Sequence, residues 1–325
     1  MARINSVLGP IDTENLGPTM MHEHILIANW AMRQAFSNWI NREEFVDYAV
    51  KMVKKAKHSG IRTIVDCTPI NLGRDIHVIR EVAEKAEMQI IACTGFYHFE
   101  EMWIRDRDPR WLADLLINEV EHGIMGTDCK PGILKCATDI GGLTPANRHL
   151  MEVVSIVHKA TGLPITTHAT VANRVGLEQQ SVFEELGVDI SKVIIGHCGD
   201  STDADFISSI IDRGSYVGMD RFGIDWMLPQ AERIKVVAKL CRLGYAGKMV
   251  LSCDHSAYID YAEEKRGVVQ DKWAETRSVP VEEREVQFSY LMDTVVPQLR
   301  EQGVSEEDIS LMLVENPRRF FEGKP

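Results

Sequence analysis

Four histidines, an aspartate and a lysine stand at positions where they could meet around metal ions. His22 and His24 lie in Met21-His-Glu-His24, His168 follows Thr167, His197 follows Gly196, and Asp254 follows Cys253. Lys135 sits inside the apolar run Gly132-Ile-Leu-Lys-Cys-Ala137. Imidazole nitrogens and carboxylate oxygens suit zinc first, and also cobalt, manganese or iron. In an extended chain, residues two apart point to the same face, so His22 and His24 can share one ion. A buried lysine without a partner is costly. It either pairs with a carboxylate such as Asp139 or is chemically changed. A desolvated amine can add carbon dioxide to become a carbamate, an anionic bidentate ligand. Counting ligands gives two divalent ions. His22, His24 and Asp254 would hold one, and His168 and His197 the other. Carboxylated Lys135 and a hydroxide would bridge them, at the spacing of roughly 3.5–4 Å typical of two-metal hydrolytic sites. Any one of these residues alone is more often packed or exposed than liganding. Their joint occurrence carries the inference.

The elements that must position them are legible as alternating runs. Eight β-branched stretches, Pro18–His24, Thr63–Thr68, Ile90–Thr94, Ile133–Thr138, Ile165–Thr170, Val193–Cys198, Tyr216–Asp220 and Met249–Asp254, read as strands. Between them, Glu43–His58, Asp75–Ala86, Pro109–Gly123, Pro145–Thr161, Leu177–Leu186, Asp203–Arg213 and Gln230–Leu243 read as helices. Two more helices, Glu282–Glu301 and Glu306–Glu315, follow the last strand. This alternation implies parallel strands with helical crossovers. Eight units predict a closed (β/α)8 TIM barrel with extra C-terminal helices, as one domain over residues 1–325. The chemistry of such barrels lies at the C-terminal strand ends, where the six residues fall. An open doubly wound sheet would carry a Gly-rich turn after its first strand; here that strand ends in His-Glu-His.

Composition narrows the function further. Of 325 residues, 45% are hydrophobic and 26% charged, an ordinary globular balance that excludes disorder and a disulfide scaffold. The net charge of −12 disfavours nucleic acid. No apolar run approaches the ~20 residues of a membrane span, and the N-terminus lacks a secretory pattern. Seven cysteines without CxxC spacing fit reduced thiols in a cytoplasmic protein.

The set His-x-His, Lys, His, His, Asp on successive strands resembles the amidohydrolase superfamily. More closely, the chain resembles the phosphotriesterase family and, within it, the phosphotriesterase-like lactonases. The matching stretches include Gly17-Pro-Thr-Met-Met-His-Glu-His24, Leu72-Gly-Arg-Asp75, Thr94-Gly-Phe-Tyr97, Gly132-Ile-Leu-Lys135, Gly176-Leu-Glu-Gln-Gln180, Ile195-Gly-His-Cys-Gly-Asp200, Gly218-Met-Asp-Arg-Phe-Gly223 and Glu315-Asn-Pro317. The resemblance implies that His22, His24, His168, His197 and Asp254 are metal ligands and Lys135 the carboxylated bridge. It implies that Tyr97 lies beside the bridging hydroxide and orients the substrate, and that Arg221 lines the pocket. Asp200 would hydrogen-bond near Arg221 or Asp254. The bland alternatives are a half-buried aromatic for Tyr97, a salt bridge to Asp220 or Asp200 for Arg221, and a helix cap for Asp200. A homodimer is also implied, with Trp30, Trp39 and Ile40 as candidate contacts or as a lid.

The reaction expected from the resemblance is the opening of lactone rings, N-acyl-homoserine or other γ- and δ-lactones among them. The metal-bridging hydroxide would attack, and Asp254 would pass the proton onward through Asp200. Organophosphate triesters would be weak, promiscuous substrates. The alternatives are a dedicated phosphotriesterase or another carboxylester or amide hydrolase on the same site. The short stretch Ile224-Asp-Trp-Met-Leu-Pro229 favours the lactonase, because the phosphotriesterases proper carry a longer insertion there. The long loop after Asp254 holds Tyr258 and Trp273, which with Trp226 and Met227 could form an apolar wall. It also holds the charged Glu263, Glu264, Lys265, Arg266, Asp271 and Lys272. A binding protein that keeps the ions without turnover is disfavoured, because every expected ligand is present.

Overall fold

A computed structural model of the chain describes residues 2–260 and 287–323. It opens with an antiparallel hairpin, β1 (Arg3–Ser6) and β2 (Gly9–Asp12), that the alternation of runs does not announce. Eight parallel strands follow in sequential order: β3 (Thr19–Glu23), β4 (Thr63–Asp66), β5 (Gln89–Gly95), β6 (Ile133–Ala137), β7 (Ile165–His168), β8 (Val193–Ile195), β9 (Tyr216–Met219) and β10 (Met249–Leu251). The crossovers carry α1 (Trp30–Ala35), α2 (Arg42–His58), α3 (Ile76–Ala86), α4 (Met102–Arg105), α5 (Pro109–His122), α6 (Pro145–Thr161), α7 (Val175–Glu185), α8 (Ala204–Asp212) and α9 (Gln230–Arg242). The architecture is the (β/α)8 barrel that the eight runs predict.

Local chemistry sets these boundaries. In α6 the Thr144 hydroxyl accepts from Asn147 N–H, Pro145 occupies the first turn, and Gly162 ends the helix at φ 74°. Asp75, Asp108 and Asp203 cap α3, α5 and α8 in the same way. Strand alternation then sorts side chains into two apolar clusters. In β6, Ile133 joins Val65, Ile91, Ile194 and Val250 inside the barrel. Leu134 and Cys136 belong to the larger cluster that includes the helices. The period of two therefore turns Lys135 inward with Ile133. The hairpin closes the floor of the interior, where Ile4 packs with Leu16, Tyr216 and Phe320.

The barrel is completed at the seam between β3 and the chain beyond β10. Asp254 N–H donates to His22 O (3.0 Å), His24 N–H to His255 O (2.9 Å), and Ala257 N–H to His24 O (3.1 Å). The Glu23 carboxylate lies in this seam, fully buried, and accepts from Ser252 Oγ (2.8 Å), Cys253 N–H (2.6 Å) and His255 N–H (2.7 Å). The Ser252 hydroxyl also accepts from His22 N–H at 2.8 Å. Pairing of β3 with β4 shifts register between Met20 and Glu23, a β-bulge. It lets Met21 and His22 both address the interior, which strict alternation forbids.

The C-terminal segment differs from expectation at both ends. Residues 282–286 of the first expected helix lie outside the described residues. From Leu291 the chain makes a π-helical turn to Val295 and continues as the helix Val296–Glu301. The second helix does not stop at Glu315. It runs from Glu306 through a π-helical turn, Leu311–Glu315, to Glu322. Pro317 reads as a helix stop, yet the wider turn just before it absorbs the missing N–H. Asn316 fastens this segment to the barrel by donating to Ala246 O and Met249 O, both at 2.7 Å.

The seam makes a direct prediction. Glu23→Ala leaves three buried donors without their acceptor and should lower unfolding free energy by about 3 kcal/mol or more. Urea denaturation of the metal-free protein measures it; a loss no larger than that of the exposed Glu87→Ala refutes the clamp.

Candidate metal centre

All six predicted ligand side chains converge at the C-terminal mouth of the barrel. Lys135 Nζ lies 2.8 Å from His22 Nε2. Asp254 Oδ1 lies 3.1 Å from His24 Nε2 and 3.8 Å from His22 Nε2. On the other side, His197 Nε2 lies 2.8 Å from His168 Nδ1. His22, His24 and Asp254 form one group able to hold a cation, with ligand atoms within 4.8 Å of one another. All four histidines and Lys135 are buried. The alternative reading of Lys135 does not hold: Asp139 faces His98 (3.1 Å) and His168 (3.9 Å), and among the described residues no carboxylate makes an ion pair with the lysine.

The imidazole nitrogens turned away from the centre have partners. His24 Nδ1 meets Thr68 Oγ1 at 2.8 Å, His197 Nδ1 meets Asp220 Oδ1 at 2.9 Å, and His22 Nδ1 lies 3.5 Å from Asp220 Oδ2. His168 Nε2 faces Asp139. Such partners fix ring orientation and leave the inner nitrogen as the electron-pair donor. With Nδ1 of His197 donating to Asp220, its Nε2 presents a lone pair to His168 Nδ1. The two nitrogens are 2.8 Å apart, within hydrogen-bond distance, and both face the centre, where a cation beside them could take both as ligands. Burial, and then the charge of Lys135, lower His22 to a pKa of about 3. Burial, and then His197, likewise push His168 well down. Both rings are therefore neutral at pH 7, the state a metal requires. The residues fit a binuclear centre with N and O ligands.

Asp220 escapes sequence reasoning except as a salt-bridge partner for Arg221. It instead faces His22 and His197 together and also accepts from His197 N–H at 3.1 Å. The only sequence signal is its place at the end of a strand. Burial opposes its charge, but His197 and His22 outweigh this and hold it well below the carboxylate range. Three consecutive strand ends carry residues in the left-handed region: His197 (φ 59°), Arg221 (66°) and Asp254 (55°). Each conformation costs roughly 1–2 kcal/mol and turns a functional group into the mouth. Gly196 is required beside them, since a Cβ there would lie 2.1 Å from Thr167 O.

The remaining predicted residues separate by role. The Tyr97 hydroxyl lies 3.4 Å from His168 Nδ1, and burial raises its pKa, so it stays a donor. Arg221 Nε donates to Asp254 Oδ2 and its Nη1 to Asp200 Oδ2, both at 2.8 Å. Asp200 is not a helix cap; Asp203 caps α8. Nor is it a proton relay from Asp254. Arg221 stands between the two carboxylates, and a guanidinium does not give up its proton. Met227 touches Arg221 at the rim and Trp226 is exposed. Tyr258 is core rather than pocket wall, buried edge-on against Phe45. Trp273 and the charged stretch from Glu263 to Lys272 lie outside the described residues.

Two outcomes follow. Asp220→Asn removes the carboxylate behind two rings and should weaken zinc affinity about 10–100-fold, read by competition with a chromogenic chelator; unchanged affinity refutes its orienting role. The second concerns pH. The unfolded chain protonates His22 near 6.5, whereas the fold keeps it neutral to about 3. Between these values the unfolded state binds more protons, so stability falls as pH falls. His22→Asn should flatten this slope in urea titrations of metal-free protein between pH 6.5 and about 4.5; parallel slopes contradict it.

With this geometry in view, the relatives of the chain become informative. The model of the Phosphotriesterase family matches residues 2–321. A "Phosphotriesterase homology protein" of Mycobacterium tuberculosis is 40% identical, over 99% of this chain and 98% of its own. An "Aryldialkylphosphatase" of Saccharolobus solfataricus is 34% identical, over 96% of each. The solved structure of the phosphotriesterase from Mycobacterium tuberculosis superposes with a TM-score of 0.89 at 40% identity, covering 98% of both chains. The chain thus belongs to the phosphotriesterase family of the amidohydrolase superfamily, whose members are binuclear metal enzymes, and is a metal-dependent hydrolase.

Proposed function

We propose that the centre holds two divalent ions, zinc in the first instance with cobalt, manganese or iron as alternatives, and that the enzyme opens lactone rings. His22, His24 and Asp254 would hold one ion and His168 and His197 the other, with Lys135, as a carbamate, a ligand for both. The observation that carries the hydrolytic reading is four buried imidazoles at one mouth, with His22 Nε2 on Lys135 Nζ, His24 Nε2 on Asp254 Oδ1 and His197 Nε2 on His168 Nδ1, while Thr68 and Asp220 stand behind three of the rings. When bound, two such ions supply Lewis acidity and lower the pKa of a water from 15.7 towards about 7.

The chain's own residues do the rest. Burial works against the charge of Asp254, but His197, His24, His22 and Arg221 keep it ionised, well below the usual range. Ionised, it is open to accept a proton at the centre, with Oδ2 held by Arg221 and Oδ1 directed towards His24. The protonated Tyr97 hydroxyl is a donor for an oxygen that gains charge as a carbonyl is attacked. An alkoxide leaving group needs a proton, and Asp254 returns it directly or through solvent. The short loop from Ile224 to Pro229 and the Tyr97 hydroxyl support a lactone or ester over a bulky phosphotriester. The aryldialkylphosphatase relative supports weak organophosphate hydrolysis at the same site.

Two properties accompany this reading. The enzyme works as a homodimer, with the exposed Trp30 and Trp39 as contact candidates, while Ile40 is half-buried against the core. It resides in the cytoplasm, as seven free thiols suggest. No helix among the described residues is long and apolar enough to cross a membrane.

A panel of γ-lactones, δ-lactones, aryl esters, N-acyl amides and paraoxon, assayed on metal-loaded enzyme with bicarbonate present, tests the proposal. Lactones should give the highest kcat/KM; a dominant paraoxon or amide activity overturns the lactonase assignment. Asp254→Asn should lower kcat by roughly 10²–10⁴ at saturating metal, and near-normal turnover removes its role as base.

A further inference from the structure

Arg233, in α9, is a fully buried arginine among the largest side chains of the core. A guanidinium out of water is tolerated only with its donors engaged, and all three of its nitrogens are. Nε donates to Leu228 O (3.2 Å). Nη1 donates to Gly199 O (2.9 Å), to Asp200 Oδ1 (2.5 Å) and, more distantly, to Asp220 O (3.5 Å). Nη2 donates to Ile224 O (3.3 Å). Its acceptors come from the segments after β8 and β9, which carry His197, Asp200, Asp220 and Arg221.

A line of alternating charge results: Arg233, Asp200, Arg221, Asp254. Asp200 uses one oxygen for each arginine. Arg221 uses Nη1 for Asp200 and Nε for Asp254 Oδ2. Asp254 keeps Oδ1 for the centre. We infer that Arg233 is a positioning residue for the hydrolytic reaction, acting through Asp200 to seat Arg221 on Asp254. The inference rests on the hydrolytic reading above. Without Arg233, one oxygen of Asp200 would lie buried and unpaired beside Arg221. The carboxylate could then turn, taking Arg221 away from Asp254. A purely structural Arg233 would tie the two segments together equally well whether or not Asp200 were charged.

A second buried arginine supplies the control. Arg74 donates to Cys93 O (2.9 Å) and to both Glu119 oxygens (3.0 and 2.5 Å), with no link to Asp200. The test uses full-length, metal-loaded protein and the lactone or ester that the wild type hydrolyses best. Arg233→Met should lower kcat about tenfold or more, with KM changed by less than about twofold, and Arg233→Lys should recover part of the loss. In an Asp200→Asn background, Arg233→Met should cost less than about a further twofold, because the go-between is already neutral. Arg74→Met should lower thermal stability but combine multiplicatively with Asp200→Asn. The visible spectrum of cobalt-loaded protein gives a readout without turnover: Arg233→Met and Asp200→Asn should shift the bands alike at unchanged cobalt content. Losses that multiply in the double variant, or unaltered cobalt bands, overturn the inference. If Arg233→Met fails to fold, Arg233→Lys carries the same cycle. If the wild type hydrolyses nothing while the cobalt bands behave as expected, the hydrolytic reading fails and the positioning line stands.

Discussion

The centre depends on how the barrel closes. His22 and His24 stand near the start of the chain and Asp254 near its end, so their meeting is a property of the seam. Three backbone hydrogen bonds and the buried Glu23 carboxylate hold that seam at the height of the ligands. Glu23 belongs to the ligand motif itself, between the two histidines. Its side chain points into the seam while its neighbours point to the mouth. Burial raises its pKa to about 8 against the pull of its donors, so the clamp is made at an electrostatic cost. The same three residues thus supply two candidate ligands and the tie that places them against a third.

Closure alone does not aim a ligand. The β-bulge after Met20 turns His22 inward, and the left-handed turns at His197, Arg221 and Asp254 re-aim the last three strand ends. These conformations are disfavoured and persist only where the surroundings over-determine them. Asp220 behind two rings, Thr68 behind a third and Arg221 on Asp254 provide that surplus. Strain at the mouth and close packing beneath it belong to one arrangement, since the interior layer of Val65, Ile91, Ile133, Ile194 and Val250 leaves the ligands nowhere to collapse.

What the sequence discloses follows from the range of each interaction. The barrel is legible because alternation of β-branched runs and amphipathic helices is local, and Asp75, Asp203 and the Thr144-Pro145 pair mark helix starts directly. The candidate ligands are legible because few residue types bind metals and these sit at strand ends. The hairpin is not, since two four-residue strands, the second beginning at Gly9-Pro10, carry too little pattern. The helix through Pro317 is not, because a π-turn is a tertiary accommodation. Asp220 and Asp200 are ambiguous for a different reason. A carboxylate announces neither what it faces nor what neutralises it, and here one faces two histidines while the other is held between two arginines.

Lys135 tests how far this logic extends. Its amine lies in an interior of apolar side chains, thiols and imidazoles, at 2.8 Å from His22 Nε2. A charged ammonium there would oppose any cation held by the same histidines. Neutralising it removes that repulsion but contributes one ligand atom. The proposed carboxylation would reverse the sign and add two oxygens beside the Asp254 carboxylate. Burial of this lysine is hard to justify as packing, and the proposed carbamate would account for it.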